Sequence, residues 1–122
     1  MKKLPSVLVV DDEEIIRSLL ADAAAARGFA VHTAASGEEA LKMIREHPFP
    51  VVVLDILLPG ITGRKVAEEI ARLHPKTRFI ILTGGSASAA EFSDIPQVET
   101  VLGKPFPIAD FLQVLEKLAG AS

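Results

Sequence analysis

The chain has 122 residues, of which 49% are hydrophobic and 24% charged, with a formal net charge of −3. That length suits one domain with a buried core, and the hydrophobic content excludes a disordered chain. The acidic balance excludes a general attraction to nucleic acid or anionic membrane, and the lack of cysteine excludes disulfide and thiolate chemistry and fits a reducing cytosol.

The opening MKKLPSVLVV has the basic start of a signal peptide, but its short apolar run meets DDEE with no small-residue cleavage site. No apolar stretch approaches the length of a membrane span. Residues 7–10, VLVV, read as a buried strand. Ile15, Ile16, Leu19, Leu20 and Ala23 follow at helical spacing, and Gly28 stops that helix. FAVHTA, 29–34, alternates as a partly exposed strand does. Ser36 with Glu39 matches a capping box, which opens a helix through Leu41 and Ile44 that Pro48 and Pro50 close. VVVLD, 51–55, is the third strand, and a helix through Val66, Ile70 and Leu73 runs to Pro75. RFIILT, 78–83, is the fourth strand. Residues 86–95 form a weak, Ala- and Ser-rich helix with few apolar anchors. ETVLG, 99–103, is a short fifth strand, and Ile108, Phe111, Leu112, Leu115 and Leu118 mark a last helix.

Strands thus alternate with helices five times. Continuous apolar strands separated by helices imply a parallel sheet covered on both faces, and right-handed crossovers make it a doubly wound α/β fold. One domain over residues 4–120 accounts for all these elements, with no linker and no second domain expected.

The polar residues that end the strands carry the chemistry. Asp11 and Asp12 follow the first strand, Asp55 belongs to the third, Thr83 ends the fourth and Lys104 follows the fifth. All these ends lie on the carboxyl edge of a parallel sheet, where such folds place ligands. Taken singly, DDEE reads as an acidic first helical turn, Thr83 as an ordinary strand end and Lys104 as a solvated lysine. Asp55 resists that treatment, because a carboxylate inside an apolar run costs about several kcal/mol unless paired or metal-bound. One shared site explains the set better than four accidents. Clustered carboxylates suit a hard divalent cation such as Mg²⁺. A carboxylate beside it can attack a phosphoryl group, whose oxygens then need the positive charge and donors that Lys104 and Thr83 offer. Gly84 and Gly85 offer backbone N–H groups to the same phosphate.

With VLVVDDEE, VVVLDILLPGITG, ILTG and LGKPF in place, the chain resembles the receiver domains of two-component response regulators over nearly its whole length. The resemblance implies a flavodoxin-like (βα)5 fold, a five-stranded parallel sheet of order 2-1-3-4-5. It implies that Asp55 is the phospho-acceptor, that Asp11, Asp12, Asp55 and the backbone carbonyl of Leu57 hold Mg²⁺, that Thr83 is the switch hydroxyl and that Lys104 pairs with the phosphoryl group. Pro105 would follow a cis bond. The expected donor is a sensor histidine kinase or a histidine phosphotransfer protein, and the expected product is a phosphoprotein of a bacterial phosphorelay. It further implies a cytoplasmic protein without direct nucleic-acid or membrane contact, pairing as a homodimer through its last helices in some cases. The resemblance implies that the chain catalyses only its own phosphorylation and dephosphorylation and is otherwise not an enzyme.

Two features depart from the family pattern. Val101 stands three residues before the lysine, where many receivers carry an aromatic switch residue, and Leu57 replaces the polar or Met side chain common there, where it would shield the acyl phosphate from water. Val101 and the weak fourth helix favour an alternative, a phosphorylation-independent protein-interaction module on the same fold. The intact set Asp11, Asp12, Asp55, Thr83 and Lys104 argues against it. A metal-dependent phosphatase ranks last, since no second acid–base group follows Asp55 and no insertion is long enough for a substrate cap. His32, His47 and His74 have no metal-ligand spacing and read as surface residues.

Overall fold

A computed structural model describes residues 4–85 and 89–120. The elements are β1 (Ser6–Val10), α1 (Glu14–Ala26), β2 (Ala30–Ala34), α2 (Gly37–Glu46), β3 (Val51–Asp55), α3 (Gly63–Leu73), β4 (Arg78–Thr83), a single 3₁₀ turn (Ala89–Phe92), β5 (Val98–Gly103) and α4 (Ile108–Gly120). The five strands pair in parallel in the order β2-β1-β3-β4-β5, as expected for this fold class.

The strands read as unbroken apolar runs because both faces of the sheet are covered. Alternate residues serve two cores: Leu8, Val10, Val52, Leu54, Phe79 and Ile81 face one side, with α2 and α3. Val7, Val9, Val51, Val53, Ile80 and Leu82 face the other, with α1 and α4. All of these side chains are almost wholly buried. Only the edge strands β2 and β5 leave more than half their residues partly or fully exposed.

Local chemistry sets the ends of the helices. After α1, Gly28 takes φ +97°, a left-handed conformation that costs glycine nothing, and its N–H bonds the Ala25 carbonyl. Ser36 caps α2 by accepting from Glu39 N–H at 3.1 Å. Glu39 reaches back to Ala35 N–H at 3.4 Å, one residue before the partner that a complete capping box would use. Thr62 caps α3 by accepting from Lys65 N–H at 3.2 Å.

The fourth crossover differs from a full helix. Residues 86–88 of the expected weak helix lie outside the described residues, and the rest is one 3₁₀ turn. The physical reason is the shortage of apolar anchors: among the described residues of this segment, Phe92 and Ile95 alone join the core. Arg64 of α3 holds this segment from the side. Its guanidinium donates to the Glu91 carbonyl at 2.9 Å, pairs with Asp94 and stands 5.7 Å from the Phe92 ring centroid.

The histidines only partly match a surface reading. His32 and His47 are exposed; His32 packs edge-on against His47 and Phe49, at 5.7 and 5.3 Å between centroids, and His47 lies tilted on Phe49 at 4.4 Å. His74 is instead half-buried, and its Nε2–H donates to the Ile44 carbonyl at 2.9 Å, tying the ends of α2 and α3 together.

Candidate functional site at the carboxyl edge of the sheet

The parallel register gathers the polar strand ends. Asp55 stands opposite Leu82 on β4, so Thr83 is one residue beyond it. Thr83 in turn pairs with Gly103 on β5, and the Lys104 N–H donates to the Thr83 carbonyl at 2.7 Å. A cis bond joins Lys104 to Pro105, as expected.

Asp11 and Asp55 are buried, and Asp12 is exposed. One oxygen from each of the three carboxylates lies within 4.8 Å of the others. The acidic run is not a first helical turn, because α1 begins only at Glu14 and Asp11, Asp12 and Glu13 precede it. Asp11 Oδ1 accepts from Glu13 N–H at 2.9 Å, and its backbone carbonyl accepts from the Arg17 guanidinium at 2.8 Å. Asp55 Oδ1 accepts from Leu57 N–H at 2.9 Å.

Lys104 sits at the centre of the negative charge. Its Nζ lies 2.8 Å from Asp55 Oδ2, 3.0 Å from Asp11 Oδ2 and 2.9 Å from Glu13 Oε1. Burial disfavours the ammonium, but the hydrogen bonds it donates to Asp55, Glu13 and Asp11 outweigh that and raise the pKa. For Asp11 the balance is opposite. Burial dominates and raises its pKa, with the Asp55 charge adding to the shift, against the Glu13 N–H and Lys104 bonds that lower it.

Thr83 is buried, and its Oγ1 accepts from Gly85 N–H at 3.0 Å. The Gly85 amide is therefore committed to Thr83 rather than left open for a phosphate. Gly63 serves packing instead. A Cβ there would meet the Asp55 carbonyl oxygen at 2.5 Å, so only glycine lets α3 start this close to the end of β3. Val101 is half-buried against the α2–α3 core, and the Leu57 side chain is 67% exposed.

The structure thus brings Asp11, Asp12, Asp55 and Lys104 together and places Thr83 on the adjoining strand end. Glu13 and Arg17 belong to the same constellation, and sequence reasoning passed over them. The acidity of DDEE pointed to Glu13 only collectively, and Arg17 carries no signal beyond its helical distance from Asp11.

Comparison with known proteins gives the family and the fold. The family model of the response regulator receiver domain matches residues 7–116. The transcriptional regulatory protein AfsQ1 of Streptomyces coelicolor is 44% identical over 80 residues, 66% of this chain and 35% of that protein. The response regulator receiver protein CpdR of Brucella abortus is 29% identical over 113 residues, 92% of this chain and 94% of that protein. This chain therefore spans about a third of the first relative and nearly all of the second. Among solved structures, the response regulator TrrA of Thermotoga maritima in complex with Mg²⁺ and BeF aligns with a TM-score of 0.81 and 33% identity, covering 94% of this chain and 99% of that one. The chain belongs to the response regulator receiver domain family.

Proposed function

We propose that Asp55 accepts a phosphoryl group and that the modified chain switches its interactions with a partner or output domain. The observation that carries this reading is the buried Asp55 carboxylate, held at Oδ1 by Leu57 N–H and at Oδ2 by Lys104, at the edge of a sheet that aligns with receiver domains. Both bonds fix the carboxylate for in-line attack without a nucleophile-activating base, which a carboxylate does not need.

Asp11, Asp12 and Asp55 fit a hard cation. The donor set is all oxygen and closely grouped, and burial, with a lesser push from the Asp55 charge, raises the pKa of Asp11. With the Leu57 carbonyl they would hold Mg²⁺, which when bound supplies positive charge to the phosphoryl oxygens. Lys104 pairs with the transferred group, and Thr83 reorients toward it by releasing the Gly85 amide. The equilibrium between the two arrangements is the switch. The chain turns over no external substrate.

The donor is a sensor histidine kinase or a histidine phosphotransfer protein in the cytoplasm. Ile15, Leu19 and Leu57 support a protein donor: all three are large exposed apolar side chains, on α1 and just after β3. Among the described residues no helix is long and apolar enough to cross a membrane. The half-buried Val101 and the single 3₁₀ turn favour a second reading, an interaction module that works without phosphorylation. Borohydride trapping separates the two. It reduces an acyl phosphate to an alcohol, so after treatment with a phosphodonor residue 55 reads as homoserine in peptide mass analysis. An unmodified Asp55 supports the second reading.

A further inference from the structure

We propose that Glu13 is the partner Lys104 gives up when Asp55 takes its phosphoryl group, and that Glu13 thereby sets how readily an anionic phosphodonor reacts. This rests on Asp55 being the acceptor. An ammonium has three N–H donors. In this structure all three have carboxylate acceptors: Asp55, Glu13 and Asp11, at 2.8, 2.9 and 3.0 Å. Lys104 therefore meets an incoming phosphoryl oxygen only by breaking one existing bond.

The three bonds are not equally hard to break. The side chains of Asp11 and Asp55 are 0% and 5% exposed, and that of Glu13 is 59% exposed. A buried carboxylate stripped of its ammonium loses hydration and partner together, whereas Glu13 turns out into water. Among the described residues nothing else holds the Glu13 carboxylate: the residue stands at the N-cap position of α1 with no side-chain cap bond, and its other bonds are made by the backbone, N–H to Asp11 Oδ1 and carbonyl from Arg17 N–H. Asp11, Asp12 and Asp55 are the group that fits a cation, and Glu13 stands outside it, with Lys104 as its ion-pair partner.

In the reaction an Asp55 carboxylate oxygen attacks phosphorus. The new O–P bond forms as the bond from phosphorus to the donor's leaving group breaks, and the leaving group departs with that electron pair. Glu13 takes no part in these bonds and acts through Lys104, so it is a positioning residue. While paired it keeps Lys104 aimed at Asp55. Its negative charge also opposes an anionic donor, and its release precedes the Lys104–phosphoryl contact.

The test compares the wild-type chain with Glu13→Gln, Glu13→Asp and the neighbouring Glu14→Gln at Mg²⁺ saturating for each. The readout is the rate constant for phosphorylation by an acyl phosphate, followed by intact mass. Glu13→Gln is expected to react about two- to fivefold faster, the size of a surface ion pair, with the gap closing in about 1 M salt. Glu13→Asp returns toward the wild-type rate and Glu14→Gln leaves it unchanged. A purely structural role would lower the rate or shift all variants alike, with no dependence on salt. Equal or slower reaction of Glu13→Gln, with Asp55 phosphorylated in every form, overturns this proposal alone. No phosphoryl group on Asp55 in any form overturns the acceptor reading and this proposal with it.

Discussion

The ammonium of Lys104, just past β5, bonds Oδ2 of Asp55, at the end of β3, at 2.8 Å across the width of β4. This ion pair answers the energetic problem that Asp55 poses. A lone carboxylate at the end of an all-buried strand would be expelled or protonated, and Lys104 compensates Asp55 and Asp11 together.

Removing that compensation is therefore costly. Lys104→Met is expected to destabilise the metal-free chain by about 2–3 kcal/mol, a little below the range for stripping one partner from a fully buried pair. Urea unfolding measures it. Added Mg²⁺ recovers part of the loss, because a cation then faces the same carboxylates. A variant as stable as the wild type without metal would contradict the compensating role.

The raised pKa of Asp11 gives a pH dependence with a definite sign. Folding favours its protonated form, so its stabilising contribution is full at low pH and is lost as pH rises through the raised value. Asp11→Asn, uncharged throughout, is expected to melt above the wild type at neutral pH without metal. The difference shrinks as pH falls through the carboxylate range. Thermal melts from pH 3 to 8 read both, and a variant that melts lower at neutral pH is the opposing result.

A Mg²⁺ ion held by Asp11, Asp12 and Asp55 would link the same residues to stability. At about ten times its dissociation constant a bound ion adds about 1.4 kcal/mol, or about 5–6 °C in Tm for a chain of this size. The wild type is expected to show that shift, and Asp11→Asn and Asp12→Asn to lose most of it. Equal shifts in all three would place the ion elsewhere.

The exposed Ile15 and Leu19 on α1 make a prediction about partners. Ile15→Glu is expected to slow phosphotransfer from a cognate donor protein by about tenfold, the loss of one well-packed contact. Phosphorylation by a small-molecule donor should change far less. Equal slowing with both donors would trace the effect to the site rather than to docking.

Arg64 ties the fourth crossover to α3 through Glu91, Asp94 and Phe92. Arg64→Ala should raise hydrogen exchange across residues 91–95 by about fivefold, in line with a surface ion pair. The amides of β4 serve as the internal reference. Unchanged exchange would mean that Phe92 and Ile95 anchor the segment unaided.

Much of this architecture was legible because the signals were local. VLVV and VVVLD could only be strands covered on both faces, and the placement of Asp55, Thr83 and Lys104 follows from strand ends and parallel pairing. Ser36 and Gly28 marked helix ends by mechanism, not by composition. The parts that were not legible depend on contacts distant in sequence. The acidity of DDEE could not say that Asp11 is buried while Glu13 reaches Lys104, 91 residues away. Arg64 looked like any helical surface charge, and its grip on a segment 27 residues later has no sequence signature. His74 looked exposed because nothing near it in the chain predicts the Ile44 carbonyl.

The most direct measurement is intact mass after incubation with a small-molecule phosphodonor, with and without Mg²⁺, for the wild-type chain and Asp55→Asn. The expected result is the gain of one phosphoryl group, dependent on Mg²⁺ and absent in Asp55→Asn. A folded wild-type chain that gains none, or an Asp55→Asn chain that gains the same group, would contradict it.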